Sequence, residues 1–265
     1  MSTQISMFWG TVTYEFRMQL HRRALWIVMV LLIGLIFYWQ RESILALLFQ
    51  LRGSRMHASL SPDEAIVSWA DGINRLLPIA VGILLADRFP RDRQIKIDEL
   101  LLTLPAGQST RLLGKYVGSL CATLIPPTLY YCLGLGILLV QTHSLALLPT
   151  ALLAFVCIFL PGMMFVGAFA IVCPMFLWWP IYCFCFTAYW FWGNLLSPRQ
   201  NIPTISTTIL TPLGGYMSQG FFGVPAYGPE IQATLLSGFA SLSLLLGLTI
   251  MILLIGCGLL KWQRS

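Results

Sequence analysis

Apolar residues in this chain come in long runs, and polar ones fall in short clusters between them. A helix needs about 20 apolar residues to cross a hydrocarbon core of roughly 30 Å. That ruler predicts six spans, near Ala24–Gln40, Ile66–Ala86, Leu112–Val140, Leu145–Val172, Pro174–Leu196 and Ala233–Leu260. The first has apolar residues continuing past Arg41 towards Phe49. Pro126, Pro127 and Pro161 should each kink or locally open their helix, because proline cannot donate the backbone bond. The short links Gln141–Ser144 and Cys173–Pro174 predict antiparallel neighbours.

Ahead of these runs, residues 1–23 have a different period. Ile5, Phe8, Trp9, Val12, Phe16 and Leu20 recur every three or four positions and share one helix face, with Thr13, Arg17 and His21 away from it. The pattern predicts an amphipathic helix lying in the headgroup layer. The alternative is that it extends the first span, against which stand Glu15, Arg17, Gln19, His21, Arg22 and Arg23. Towards the other end, Ser197–Gln232 is rich in Pro and Gly but carries Tyr216, Phe221, Phe222 and Tyr227. Short re-entrant or interfacial helices and an ordered outer cap both fit it.

Composition narrows the class. Of 265 residues, 57% are hydrophobic and 10% charged, against about 25% charged in soluble domains. The expected fold is therefore an all-α polytopic membrane protein. The residues at 1–23 and the six spans at 24–265 form its two parts. No cleavable leader is expected at Met1–Arg23. The net charge of +6 fits loops on the cytoplasmic side rather than nucleic acid. The termini and even loops hold 11 Lys and Arg and the odd loops four, with Arg75 inside a span. This asymmetry orients both termini towards the cytoplasm.

Catalytic patterns are sparse. The sole Gly-Lys pair, Gly114-Lys115, is followed by Tyr116, and Ser109 stands where a P-loop needs its first glycine. His21, His57 and His143 lie in three separate segments. The seven cysteines lie in or beside apolar runs without zinc spacing. Asp71-Gly72, Arg75, Gly82, Asp87 and Asp92 faintly resemble the aspartate set with which membrane CDP-alcohol phosphotransferases hold metal. The gaps differ by one residue, and Ser68 stands where the upstream aspartate belongs. A metal-dependent phosphotransferase using Asp71, Asp87 and Asp92 remains the alternative enzymatic reading.

Leu76–Ala86 alone is too short to cross, so the second span must include Asp71, Asn74 and Arg75. Asp71 and Arg75 are i, i+4 neighbours able to pair, and Pro78 leaves the Asn74 carbonyl without its usual donor. These three residues either line a pathway or form a self-satisfied group near the outer headgroups.

The most charged stretch is Asp87–Lys115, with six of the 16 Lys and Arg and four of the 10 Asp and Glu. Ile95, Ile97, Leu100, Leu101 and Leu104 predict a short helix flanked by Arg91, Arg93, Lys96, Asp98 and Glu99. Pro105 and Gly107 should end it, and Ser109 or Thr110 should cap the next helix. A short helix of this kind between two spans can take up motion from a partner. An ordinary solvated loop is the alternative.

Glu99-Leu100-Leu101-Leu102, Pro105 and Gly114-Lys115 resemble the cytoplasmic segment of ABC-2-type permease subunits. Topology resembles them over the whole chain. Asp92-Arg93-Gln94-Ile95-Lys96-Ile97 stands where that family more often has a glycine-containing turn. The resemblance implies a bacterial inner-membrane exporter subunit, paired with a second permease copy or paralogue. Two ATP-binding subunits would carry the ATP and Mg, with no cofactor on this chain. It also implies that residues 91–105 receive the motion of the ATPase. A membrane anchor that transports nothing is a further alternative.

Overall fold

The computed structural model describes residues 2–50, 61–88, 90–91, 107–196, 204–225 and 232–262. Among these the chain is helical and contains no strand. The helices are α1 (Ser2–Leu20), α2 (Arg23–Gln50), α3 (Pro62–Ala86), α4 (Gln108–Thr142), α5 (Leu147–Met175), α6 (Trp179–Trp190), α7 (Gly215–Phe222) and α8 (Leu235–Trp262). Each of the six expected apolar runs holds one of them, and α2 does continue past Arg41.

Four helices, α3, α4, α5 and α8, are long and apolar enough to cross a membrane. A fifth span results if Ile5–Leu20 and Arg23–Tyr38, bent by 62°, count as one. In α6, 12 helical residues lead into a five-residue π turn, Phe191–Leu195. At 1.5 Å per residue this gives only about 25 Å.

Local chemistry explains the ends. Pro62 and the reciprocal bonds between Ser61 and Glu64 start α3 as a capping box, satisfying amide groups the first turn leaves open. The expected cap at Ser109 or Thr110 is not the one found. α4 begins at Gln108 with Gly107 as its cap residue and no side-chain cap bond. The extended Gly107 backbone turns the chain into α4, and both hydroxyl residues fall inside its first turn. α4 also runs through Pro126 and Pro127 for 35 residues, about 52 Å. Pro161 has the expected opening effect, because a π turn, Phe155–Phe159, precedes it inside α5.

α3 is the central helix, 72% of its most apolar stretch being buried against 33% in α8. It packs against α2, α4, α5 and α6. α7 tucks against α8, where a Cβ on Gly220 would come within 2.8 Å of the Thr234 carbonyl. The short helix and the chain before it lie within the expected outer segment, anchored by Ser241 Oγ donating to the Ile209 carbonyl at 2.8 Å.

Candidate functional site

Polar side chains are buried at both ends of α3, and they are organised differently. At the C-terminal end the organising element is α1. Val12, Glu15 and Gln19 are buried at 9%, 3% and 0% exposure, whereas Ile5 and Trp9 are 55% and 59% exposed. Thr13, Arg17 and His21 are exposed, away from the apolar face as the period predicts. The protein contact is made by Val12, at the edge of that face, with Glu15 and Gln19 beside it, and Ile5 and Trp9 face outwards. In a lipid surround apolar residues gain nothing by turning inwards, so small and polar groups make the helix contacts.

Close approach makes the burial possible. A Cβ on Gly118 would lie 2.5 Å from the Val12 carbonyl, and one on Gly114 2.9 Å from the Thr11 side chain. Gln19 Nε2 donates to Thr123 Oγ1 at 3.1 Å further along. Thr11, Val12 and Gln19 thus meet Gly114, Gly118 and Thr123 in the same order, so α1 runs parallel to the first turns of α4.

Within this contact Arg88 Nη2 donates to Glu15 Oε2 at 2.5 Å. Lys115 Nζ lies 3.9 Å from Oε1, and Ser119 Oγ donates to Oε2 at 3.5 Å. Arg88 and Lys115 are themselves 1% and 6% exposed. One carboxylate therefore faces two buried cations. Beside it, Arg22 holds Asp87 through two parallel bonds, Nη1 reaching Oδ1 at 2.6 Å and Nη2 reaching Oδ2.

Arg88 follows α3 and Lys115 is in α4, so α1 and its exit fasten both ends of the stretch 87–115 together. Sequence reading placed Asp87 and Lys115 in that stretch but missed Glu15, Gln19, Arg22 and Arg88 as their partners. The lone acid of α1, Glu15, together with Gly-x-x-x-Gly at 114–118, was the available signal. Arg91 is exposed just beyond α3. Asp92, Arg93, Lys96, Asp98, Glu99, Leu100, Leu101, Leu104 and Pro105 lie outside the described residues, as does most of the expected docking helix.

Towards the other end of α3, Asp71 and Arg75 do pair. Asp71 Oδ2 accepts from Arg75 Nε at 3.2 Å and Nη2 at 3.1 Å. Asp71 is buried, and the Arg75 side chain is 30% exposed. Asn74, with no exposure, has a separate role. Its Nδ2 donates to the Ile158 carbonyl in the π turn of α5 at 2.7 Å. The indole of Trp190, also fully buried, donates to the Arg75 carbonyl at 2.7 Å. In the π turn after α6, Asn194 Oδ1 accepts from Thr211 Oγ1 at 3.3 Å. Trp190 and Asn194 were not picked out from the sequence.

Asp71 and Asp87, the two described aspartates of the enzymatic alternative, are not brought together. Asp71 faces Arg75 and Asp87 faces Arg22, about 24 Å apart along one helix. Among the described residues no group of three His, Cys, Asp or Glu could hold a metal ion. Scanned against protein-family models the chain matches none, and a search of curated proteins returns no match.

Proposed function

We propose that the chain is the permease subunit of an ATP-driven transporter of the ABC-2 exporter type. It crosses the bacterial inner membrane six times with both termini in the cytoplasm. α6 makes the shortest crossing, accommodated by little tilt and local thinning of the bilayer. A second permease copy or paralogue completes the pathway. ATP and Mg bind on two copies of a separate ATP-binding subunit.

The observation that carries this reading is the buried ion cluster tying α1 to both ends of 87–115. A segment meant to pass on force needs stiff supports. A helix fixed to both its flanks by buried charges supplies them, where a free loop would absorb the motion. Ile95–Leu104 then docks on the ATPase, with Arg91, Arg93, Lys96, Asp98 and Glu99 setting its orientation and Pro105 at the joint with α4. Within the membrane, Asp71 and Arg75 are the pathway candidates, since Arg75 retains an exposed face. Asn74 is used to hold α5.

The test is co-purification with the ATP-binding subunit followed by substrate-stimulated ATP hydrolysis. Glu99→Arg with Leu101→Arg should lose the complex. A retained complex with full activity would overturn the docking assignment. Tight ATPase binding with no stimulation by any transported substrate would make the chain an anchor.

A further inference from the structure

The side of α1 turned away from the ion cluster carries a second feature. A groove of about 830 Å3 runs along it, lined among others by Trp9, Tyr14, Arg17, His21, Arg22 and Arg91. None of its lining residues is acidic. Arg22 is neutralised by Asp87. Arg17 and Arg91 are exposed and have no carboxylate partner among the described residues. Among the described residues the groove therefore has two positive charges with no carboxylate against them.

Two carbonyl groups at the end of α1 are taken up by other donors. The Arg17 carbonyl accepts from His21 Nδ1 at 2.8 Å, and the Leu20 carbonyl from the Trp26 indole at 2.9 Å. Trp9 and Tyr14 are 59% and 53% exposed at the groove. From the bend after α1 an outward apolar surface continues along α2, with Ile27, Val30 and Leu31 exposed by 59%, 64% and 68%. Cations, then amphipathic rings, then a long apolar strip match a ligand with an anionic head and hydrocarbon tails.

We infer that this groove binds the phosphodiester headgroup of an acidic phospholipid, held by Arg17 and Arg91, with its acyl chains along α2. The inference rests on the membrane placement in the proposed function and is independent of transport. An inorganic anion would use the two arginines but not the apolar strip. A protein partner would need carboxylates for the arginines and would leave the strip of α2 to lipid in any case.

The whole chain, purified in detergent without an ATPase, is titrated with phosphatidylglycerol and separately with phosphatidylcholine. Bound lipid is counted by native mass spectrometry. Phosphatidylglycerol should be retained in preference. Arg17→Gln with Arg91→Gln should weaken it roughly 30-fold, about fivefold for each cation near the anionic group, and leave phosphatidylcholine unchanged. Lys261→Gln, removing an exposed cation at the end of α8, should change neither.

Equal retention of the two lipids would overturn the inference, as would an equal loss from Lys261→Gln. Competition by glycerophosphate at the lipid's own concentration would make the groove a phosphate site instead. A double variant that keeps phosphatidylglycerol in this titration but, in a separate co-purification, loses the ATP-binding subunit would assign the groove to a protein. Failure of the lipid assay leaves the permease reading standing, because no ATPase is present in it.

Discussion

Replacing Glu15 by Gln keeps the shape of the side chain and removes one negative charge. What remains is a guanidinium 1% exposed and an ammonium 6% exposed, with their shared carboxylate gone. Removing one member of a buried pair costs about 3–5 kcal/mol. A Coulomb estimate at an effective dielectric of about 20 gives roughly 4 kcal/mol at 4 Å, in the same range. The neighbouring Arg22–Asp87 pair is 20% and 18% exposed, so water screens it, and Arg22→Gln should cost nearer about 1 kcal/mol.

The assay is unfolding of the purified chain in detergent, with Arg88→Gln and the double variant completing a cycle. Glu15→Gln should lose about 3 kcal/mol, with a coupling to Arg88 of at least about 2 kcal/mol. The reasoning fails if Glu15→Gln costs under about 0.5 kcal/mol or if the two changes are additive. Either result means that Glu15 and Arg88 do not meet in a dry environment, and the support for a stiff 87–115 segment goes with it.

Two further outcomes concern the glycine seam of α4 and the bond between α6 and α3. Gly118→Val puts a side chain on the Val12 carbonyl, which cannot yield without moving α1; a loss of about 1–3 kcal/mol is expected, with faster proteolysis at the N-terminus. Gly136→Ala, where nothing lies within 4 Å of the added Cβ, is the matched control and should be neutral. Trp190→Phe removes the bond to the Arg75 carbonyl and should lower stability by about 1 kcal/mol. Trp192→Phe, at a position 51% exposed, should stay within about 0.5 kcal/mol in the same thermal unfolding measurement.

The positions of the apolar helices were legible because lipid imposes a length and a composition that any long run reveals. The pairing of Asp71 with Arg75 was legible because the i, i+4 spacing decides it locally. The opening at Pro161 was legible because proline acts on its own backbone. The inward face of α1 was not. Its period marks which residues suit lipid but not which of the others meet a neighbouring helix, because beside a bilayer apolar burial does not decide helix contacts. Glu15 meets Arg88 and Lys115 only through tertiary contact, which no local period encodes. The Ser61–Glu64 cap, by contrast, stands openly in the sequence as Ser-Pro-Asp-Glu and needed only to be looked for.

The parallel course of α1 along α4 also has a consequence for biosynthesis. Gln19 and Thr123 are 104 residues apart. α1 therefore reaches its full seat only after two further apolar helices and the first turns of α4 have left the ribosome. Until then Gln19 stays hydrated, and only the bonds of Glu15 to Arg88 and of Arg22 to Asp87 are available to hold α1 to the nascent bundle. Closing so long a loop late in synthesis makes the seating of α1 a test that α3 and α4 have arrived in the correct relative position. A chain that fails it would display an unpaired Arg88 and an open glycine seam to the quality-control proteases of the membrane.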